Sequence, residues 1–179
     1  MTIRPSLHKL LTIVPALLLL ATATAPSTTW AQEENDGGGV VERYEEWVLN
    51  CSNTNDGQEI CQIRQTRQTQ GENPLLMSLS LIKFGGDYRL VSVVPLGALL
   101  QFRPAMGIED TEINVPGAYV RCMNGGCQVA FAAETATLDA LGAGEWARVA
   151  VQQPNNQPLA FRFSLAGFSA ARAALEARP

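Results

Sequence analysis

The 179-residue sequence is poor in the side chains most often used for acid–base and metal chemistry. It has one histidine, His8, and two lysines, Lys9 and Lys83. His8 and Lys9 fall inside an N-terminal stretch with the order of a secretory signal peptide. Arg4, His8 and Lys9 form a short positive start, an apolar run extends from Leu10 to Leu20, and small residues follow from Ala21 to Ala25. Cleavage after Ala31 puts Thr29 and Ala31 at the two small-residue positions, while cleavage after Ala23 stays open and Pro26 disfavours a cut after Ala25. With residues 1–31 removed, no histidine is left. That excludes Ser-His-Asp and Cys-His nucleophilic sites, histidine-ligated metals and histidine proton shuttles.

A long hydrophobic run is also missing. The stretch from Leu10 to Leu20 is broken by Pro15 and falls short of the roughly 20 residues that a membrane-spanning helix needs. No cysteine closely follows it, which argues against a lipid-anchored form. Basic residues are scarce, and losing Arg4 and Lys9 with the leader takes the formal net charge from −4 to −6. A chain this acidic, with no basic cluster along it, suits neither nucleic acid nor an anionic membrane surface, because both need phosphates neutralised. The expected location is the periplasm or cell envelope, with no membrane span in the mature protein.

What is present begins with Cys51, Cys61, Cys122 and Cys127, an even set in an exported chain. Two disulfides are expected, and three connectivities exist. The local pairing, Cys51 with Cys61 and Cys122 with Cys127, is favoured. Met123-Asn124-Gly125-Gly126 supplies turn residues between two alternating runs, which places Val120, Cys122, Cys127, Val129 and Phe131 on one face of a hairpin. Asn53, Asn55, Asp56 and Gly57 do the same between Cys51 and Cys61. A four-thiolate zinc site is the rival, but the first gap is too long for the usual ligand spacing.

Residues 32–43 open with QEENDGGG and read as a flexible acidic tether, leaving residues 44–179 as one domain. There the hydrophobic period is two. Leu75, Met77, Leu79 and Leu81 alternate with Leu76, Ser78, Ser80 and Ile82 to give an apolar face, Gly85-Gly86-Asp87 turns the chain, and 88–94 returns. Further strands are expected over 45–51, 60–69, 97–103, 108–114, 118–123, 127–132, 145–152 and 158–165, which predicts an all-β antiparallel sandwich or barrel. Two helices are expected. One covers 134–141 and is ended by Gly142 and Gly144. The other covers 169–177, with Ser169 as its N-cap and Phe168, Ala171 and Leu175 as a stripe facing the sheet.

Four segments taken in order resemble the invasion-associated locus B family of exported bacterial proteins. They are Trp47 with Cys51, Cys61, Ile63 and Gln65; Pro95-Leu96-Gly97-Ala98-Leu99-Leu100; Arg121 to Cys127; and Phe163-Ser164-Leu165-Ala166-Gly167-Phe168-Ser169, running on to Leu175. The resemblance implies an immunoglobulin-like β-sandwich, an envelope location and local disulfides. It carries over no catalytic residues. Ala98 stands where the family more often has valine.

Catalytic strings are weak. Ser80-Leu81-Ile82-Lys83 matches S-x-x-K, but in a strand its two ends face opposite ways. Glu45 with Glu46, and Glu109 with Asp110, are expected to diverge for the same reason. The segment 53–57 lacks the ligand positions of a calcium loop. Trp47 and Trp146 fit core packing. No cofactor or metal is implied. The expected function is a non-enzymatic envelope binding or structural module whose partner is an envelope or host protein. A periplasmic carrier of a small apolar ligand is the alternative, and a carboxylate-dependent envelope glycan hydrolase comes third.

Overall fold

The structure, a computed structural model, describes residues 40–178. The leader and most of the tether lie outside them. Five strands follow one another as an antiparallel meander: β1 (Val41–Tyr44), β2 (Trp47–Asn53), β3 (Glu59–Gln68), β4 (Leu76–Phe84) and β5 (Asp87–Val94). The chain then crosses to β6 (Ala105–Ile108) and β7 (Asn114–Pro116), and returns as the hairpin β8 (Ala118–Met123) and β9 (Gly126–Phe131). Helix α1 (Thr135–Ala143), strands β10 (Trp146–Gln152) and β11 (Pro158–Ser164), and helix α2 (Phe168–Glu176) complete it. The larger sheet has the order β1-β2-β3-β4-β5-β9-β8 and the smaller β11-β10-β6-β7. The expected two-sheet antiparallel sandwich is therefore present. Its meander order and its division into seven and four strands are what the structure establishes, rather than an immunoglobulin strand plan.

Alternation builds the core. Trp47, Leu49, Ile63, Leu79, Leu81, Leu90 and Val129 from the large sheet meet Met106, Val149 and Phe163 from the small one, all fully buried. On β4 the apolar alternation holds for Met77, Leu79 and Leu81, yet Ser78 and Ser80 on the opposite face are buried as well. They are short side chains in a central strand, overshadowed by longer neighbours. Helix α2 lays Phe168, Ala171 and Leu175 on the core, each fully buried, as the sequence stripe predicts. Phe168 meets Trp47 edge-to-face at 5.0 Å between ring centroids.

Several expectations need correction. Val41, Glu42 and Arg43 belong to β1, so the ordered domain begins before residue 44. No strand forms over 97–103. That segment carries the chain from one sheet to the other, Gly97 has φ 90°, and Leu99 N–H donates to Gln152 O at 2.8 Å. The expected strand over 108–114 is interrupted, because 109–113 form a turn around Asp110 (φ 62°) between β6 and β7. Val120 does not share the cysteine face. A β-bulge between Tyr119 and Arg121 makes Val120 the extra residue, which turns it outward and leaves Tyr119 opposite Val129.

The helix ends differ too. Helix α2 starts after Gly167, whose φ of 83° no other residue type adopts cheaply. A Cβ there would lie 2.2 Å from Tyr44 O. Ser169 sits inside the helix and its hydroxyl donates to Gly142 O at 2.8 Å. Helix α1 runs through Gly142 and is capped by Gly144. Trp146 faces outward from the small sheet, half-buried beneath the Arg162 guanidinium, which lies 4.3 Å from its ring centroid.

Candidate functional site

The four cysteines lie where the local pairing puts them. Cys51 is directly opposite Cys61 across β2 and β3, and Cys122 opposite Cys127 across β8 and β9. Both pairs are disulfide-bonded, with Cα atoms 4.0 and 3.9 Å apart, and no free cysteine remains. Loop separations of 10 and 5 residues correspond to about 2.7 and 2.1 kcal/mol of stabilisation in the chain-entropy model. Glu59 lies close to the Cys51 and Cys61 sulfurs, the one such acid–thiol grouping among the described residues. With both sulfurs consumed in a disulfide, no thiolate is left there for a metal.

Ser80 and Lys83 do not meet. Ser80 faces outward, whereas the Lys83 ammonium lies at the end of α2 and donates to the carbonyls of Glu176 and Arg178. Lys83 thus caps carbonyls that the helix leaves unpaired. Residues 54–58 form a polar turn in which Thr54 Oγ1 bonds both the N–H and the carbonyl of Gln58.

The carboxylates of the β6–β7 turn converge more than a strand would allow. Glu109, Asp110 and Glu112 line one concavity of about 410 Å³ on the outer side of the small sheet, together with Arg148. Glu109 is engaged by Arg162 through two bonds, at 2.8 and 2.5 Å. That hydrogen-bonded guanidinium holds the Glu109 carboxyl below its ordinary range. A general acid needs the opposite shift. Between the sheets, Trp47, Met106, Phe163 and Phe168 fill the space that an apolar cargo would require.

A buried polar node joins the sheets. Gln65, on the inner face of β3, donates from Nε2 to Ser164 O at 2.9 Å and accepts at Oε1 from Ser164 N–H at 2.9 Å. Trp47 Nε1–H donates to the same carbonyl at 2.9 Å. All three residues are nearly or fully buried, so the node is structural.

The unexpected feature is on the outer face of the large sheet. Strand register puts Val48, Arg64, Ser80, Val91, Ala130 and Ala118 in one row across six strands. The next row holds Thr66, Ser78, Val93, Gln128 and Arg121. Arg43, opposite Val48, and Arg89, opposite Ile82, belong to the same face. Among the described residues none of these four arginines forms an ion pair. Consecutive arginines share concavities. Arg43 and Arg64 bound one of about 660 Å³, Arg64 and Arg121 one of about 340 Å³, and Arg121 and Arg89 one of about 430 Å³. The first also holds Glu45 and Glu46, the latter paired with Arg67 at 3.2 Å. No carboxylate lines the other two. Along the sequence these residues lie far apart and form no basic cluster; only strand order brings them together.

A small antiparallel sandwich, stapled by two hairpin disulfides and closed by a C-terminal helix, is the class these features define. The profile of the Invasion associated locus B (IalB) protein family matches residues 47–176, and the chain belongs to that family. Its structure is similar to the crystal structure of invasion associated protein B from Bartonella henselae. The TM-score is 0.68 and the identity 21%, and the match covers 76% of this chain and 94% of that one. At that identity the likeness concerns the fold. No curated protein matches the chain.

Proposed function

We propose that this protein is an exported, non-enzymatic binding module of the bacterial cell envelope. The observation that carries the reading is the outer face of the large sheet. There a net acidic chain presents arginines without ion-pair partners around open concavities, which is an arrangement for holding a partner. Three features support the setting. The N-terminal segment has the order of a signal peptide, the disulfides belong to an oxidising compartment, and no helix among the described residues is long and apolar enough to cross a membrane. Among the carboxylates at 109–112, Glu109 is unsuited to act as the acid of a glycosidase-type pair, since Arg162 holds its carboxyl below the ordinary range. The solved relative is named an invasion associated protein. Contact with a host component belongs to the same proposal as one use of the binding face.

The test is fractionation of cells expressing the full chain, combined with mass spectrometry of unreduced peptides. The expected result is a protein in the osmotic-shock fraction, starting after Ala31 or Ala23, with Cys51 joined to Cys61 and Cys122 joined to Cys127. A cytoplasmic protein that retains residues 1–31 and four free thiols would overturn the reading.

A further inference from the structure

We propose that the outer face of the seven-stranded sheet binds an anionic oligosaccharide whose carboxylate or phosphate groups are held by Arg64, Arg121 and Arg89. This rests on the binding-module reading and names its ligand class. Arg64 and Arg121 stand on β3 and β8, four strand spacings or roughly 19 Å apart at the backbone, yet both line one concavity. The residues between them are short. Ser80, Val91 and Ala130 separate Arg64 from β8 along its row, so the two long side chains rise over a low floor. Arg121 then lines the next concavity with Arg89, which makes a track and not a single anion pocket.

The chemistry of the track selects the ligand. Guanidinium groups present planar forks that match carboxylate or phosphate oxygens in pairs, and no lysine shares the face. Gln128 and Thr66 in the adjoining row offer both donors and acceptors, which suits hydroxyl-rich rings between the charged groups. Arg121 Nε already donates to Gln128 Oε1 at 3.1 Å, which orients the guanidinium along the groove. The Ser78 hydroxyl, on that same row, is buried without a hydrogen-bond partner among the described residues. Nucleic acid is a poorer fit. Among the strand residues of this face Phe84 is the one aromatic, and Arg89 already lies over its ring at 5.5 Å; Tyr88 and Phe131 edge the concavity of Arg121 and Arg89 but stand at inward-facing strand positions, so bases have no open stacking platform. An acidic protein is the competing occupant, since Val93 and Met123 line the concavity of Arg64 and Arg121, and Val91 and Val120 that of Arg121 and Arg89; the polar row of Thr66, Ser78 and Gln128 between the charges favours the glycan.

Isothermal titration calorimetry on the oxidised protein recovered from the envelope tests the assignment. The probes are hexagalacturonate, a phosphorylated oligomannoside, neutral maltohexaose and hexaglutamate. We expect one or both anionic glycans to bind, with affinity falling as salt rises, and maltohexaose not to bind. The first two probes separate a carboxylate-bearing source from a phosphate-bearing one. The double variant Arg64→Gln/Arg121→Gln should lose about tenfold or more in affinity, as expected for two charge-assisted pairs. The control Arg103→Gln/Arg148→Gln removes equal charge elsewhere and should stay within about twofold. Arg64→Lys/Arg121→Lys keeps the charge without the fork and should fall between them, which guards against a glutamine pair that fails to fold. Three results overturn the assignment: neither anionic glycan binding, equal losses in both glutamine pairs, or hexaglutamate binding tighter than either glycan. Each leaves the envelope location intact, since fractionation reads that independently.

Discussion

Replacing Gln65 by leucine keeps the approximate volume of a side chain that is only 3% exposed, while removing both ends of its clamp on Ser164. Ser164 N–H then has no partner in a buried position, which costs about 1–3 kcal/mol. Loss of the Nε2 bond to Ser164 O adds about 1 kcal/mol, softened because Trp47 Nε1–H still donates to that carbonyl. The leucine gains little apolar contact, since its neighbours were already packed. The expected loss is therefore roughly 2–4 kcal/mol, or a fall in Tm of about 5–15 °C for a domain of this size. Urea unfolding of the oxidised protein, followed by tryptophan fluorescence, reads it. The partner experiment is Trp47→Phe, which removes the second donor to Ser164 O. In the double variant that carbonyl loses both side-chain donors, so the combined cost should exceed the sum of the singles by about 1 kcal/mol. A Gln65→Leu protein within about 0.5 kcal/mol of the parent would refute the argument that this amide pair holds the two sheets together.

Gly167→Ala should cost more than about 2 kcal/mol, because left-handed backbone alone costs an alanine 1–2 and its Cβ would press on Tyr44 O at 2.2 Å. Gly125→Ala, with nothing within 4 Å of the new Cβ, should stay within about 0.5 kcal/mol in the same unfolding assay. For Glu109, the hydrogen-bonded Arg162 lowers the folded-state pKa. Its contribution is thus present above the ordinary carboxylate range and is lost as pH falls through the lowered value. Carboxyl NMR titration of Arg162→Gln should show Glu109 moving up towards the ordinary range; an unmoved titration would show that the ion pair does not form in solution.

Much of the framework was legible in consecutive residues, for a physical reason. Period-two alternation at Met77, Leu79 and Leu81, turn residues between each cysteine pair, and the Phe168, Ala171, Leu175 stripe are all local patterns. Each is confined to a segment short enough to specify its own geometry. The pairing of Cys51 with Cys61 and of Cys122 with Cys127 follows from those hairpins, because a tight turn sets cross-strand register. Other features depend on neighbours that the local sequence does not contain. The pattern of residues 97–103 predicts a strand, but they have no partner strand at the crossing between sheets. Trp146 looked like core, yet β10 turns it to the outer face, where Arg162 from β11 covers it. Simple alternation points Val120 inward, and one bulge reverses it. The arginine face belongs to this second kind. Arg43, Arg64, Arg89 and Arg121 are separated by 21 to 32 positions, and a chain with a formal charge of −4 gives no hint of a basic surface. The sequence by itself determined the local disulfides, the C-terminal helical stripe and the β architecture. Strand order alone decided which charges stand side by side, because long-range pairing is settled by the whole core and not by any one segment.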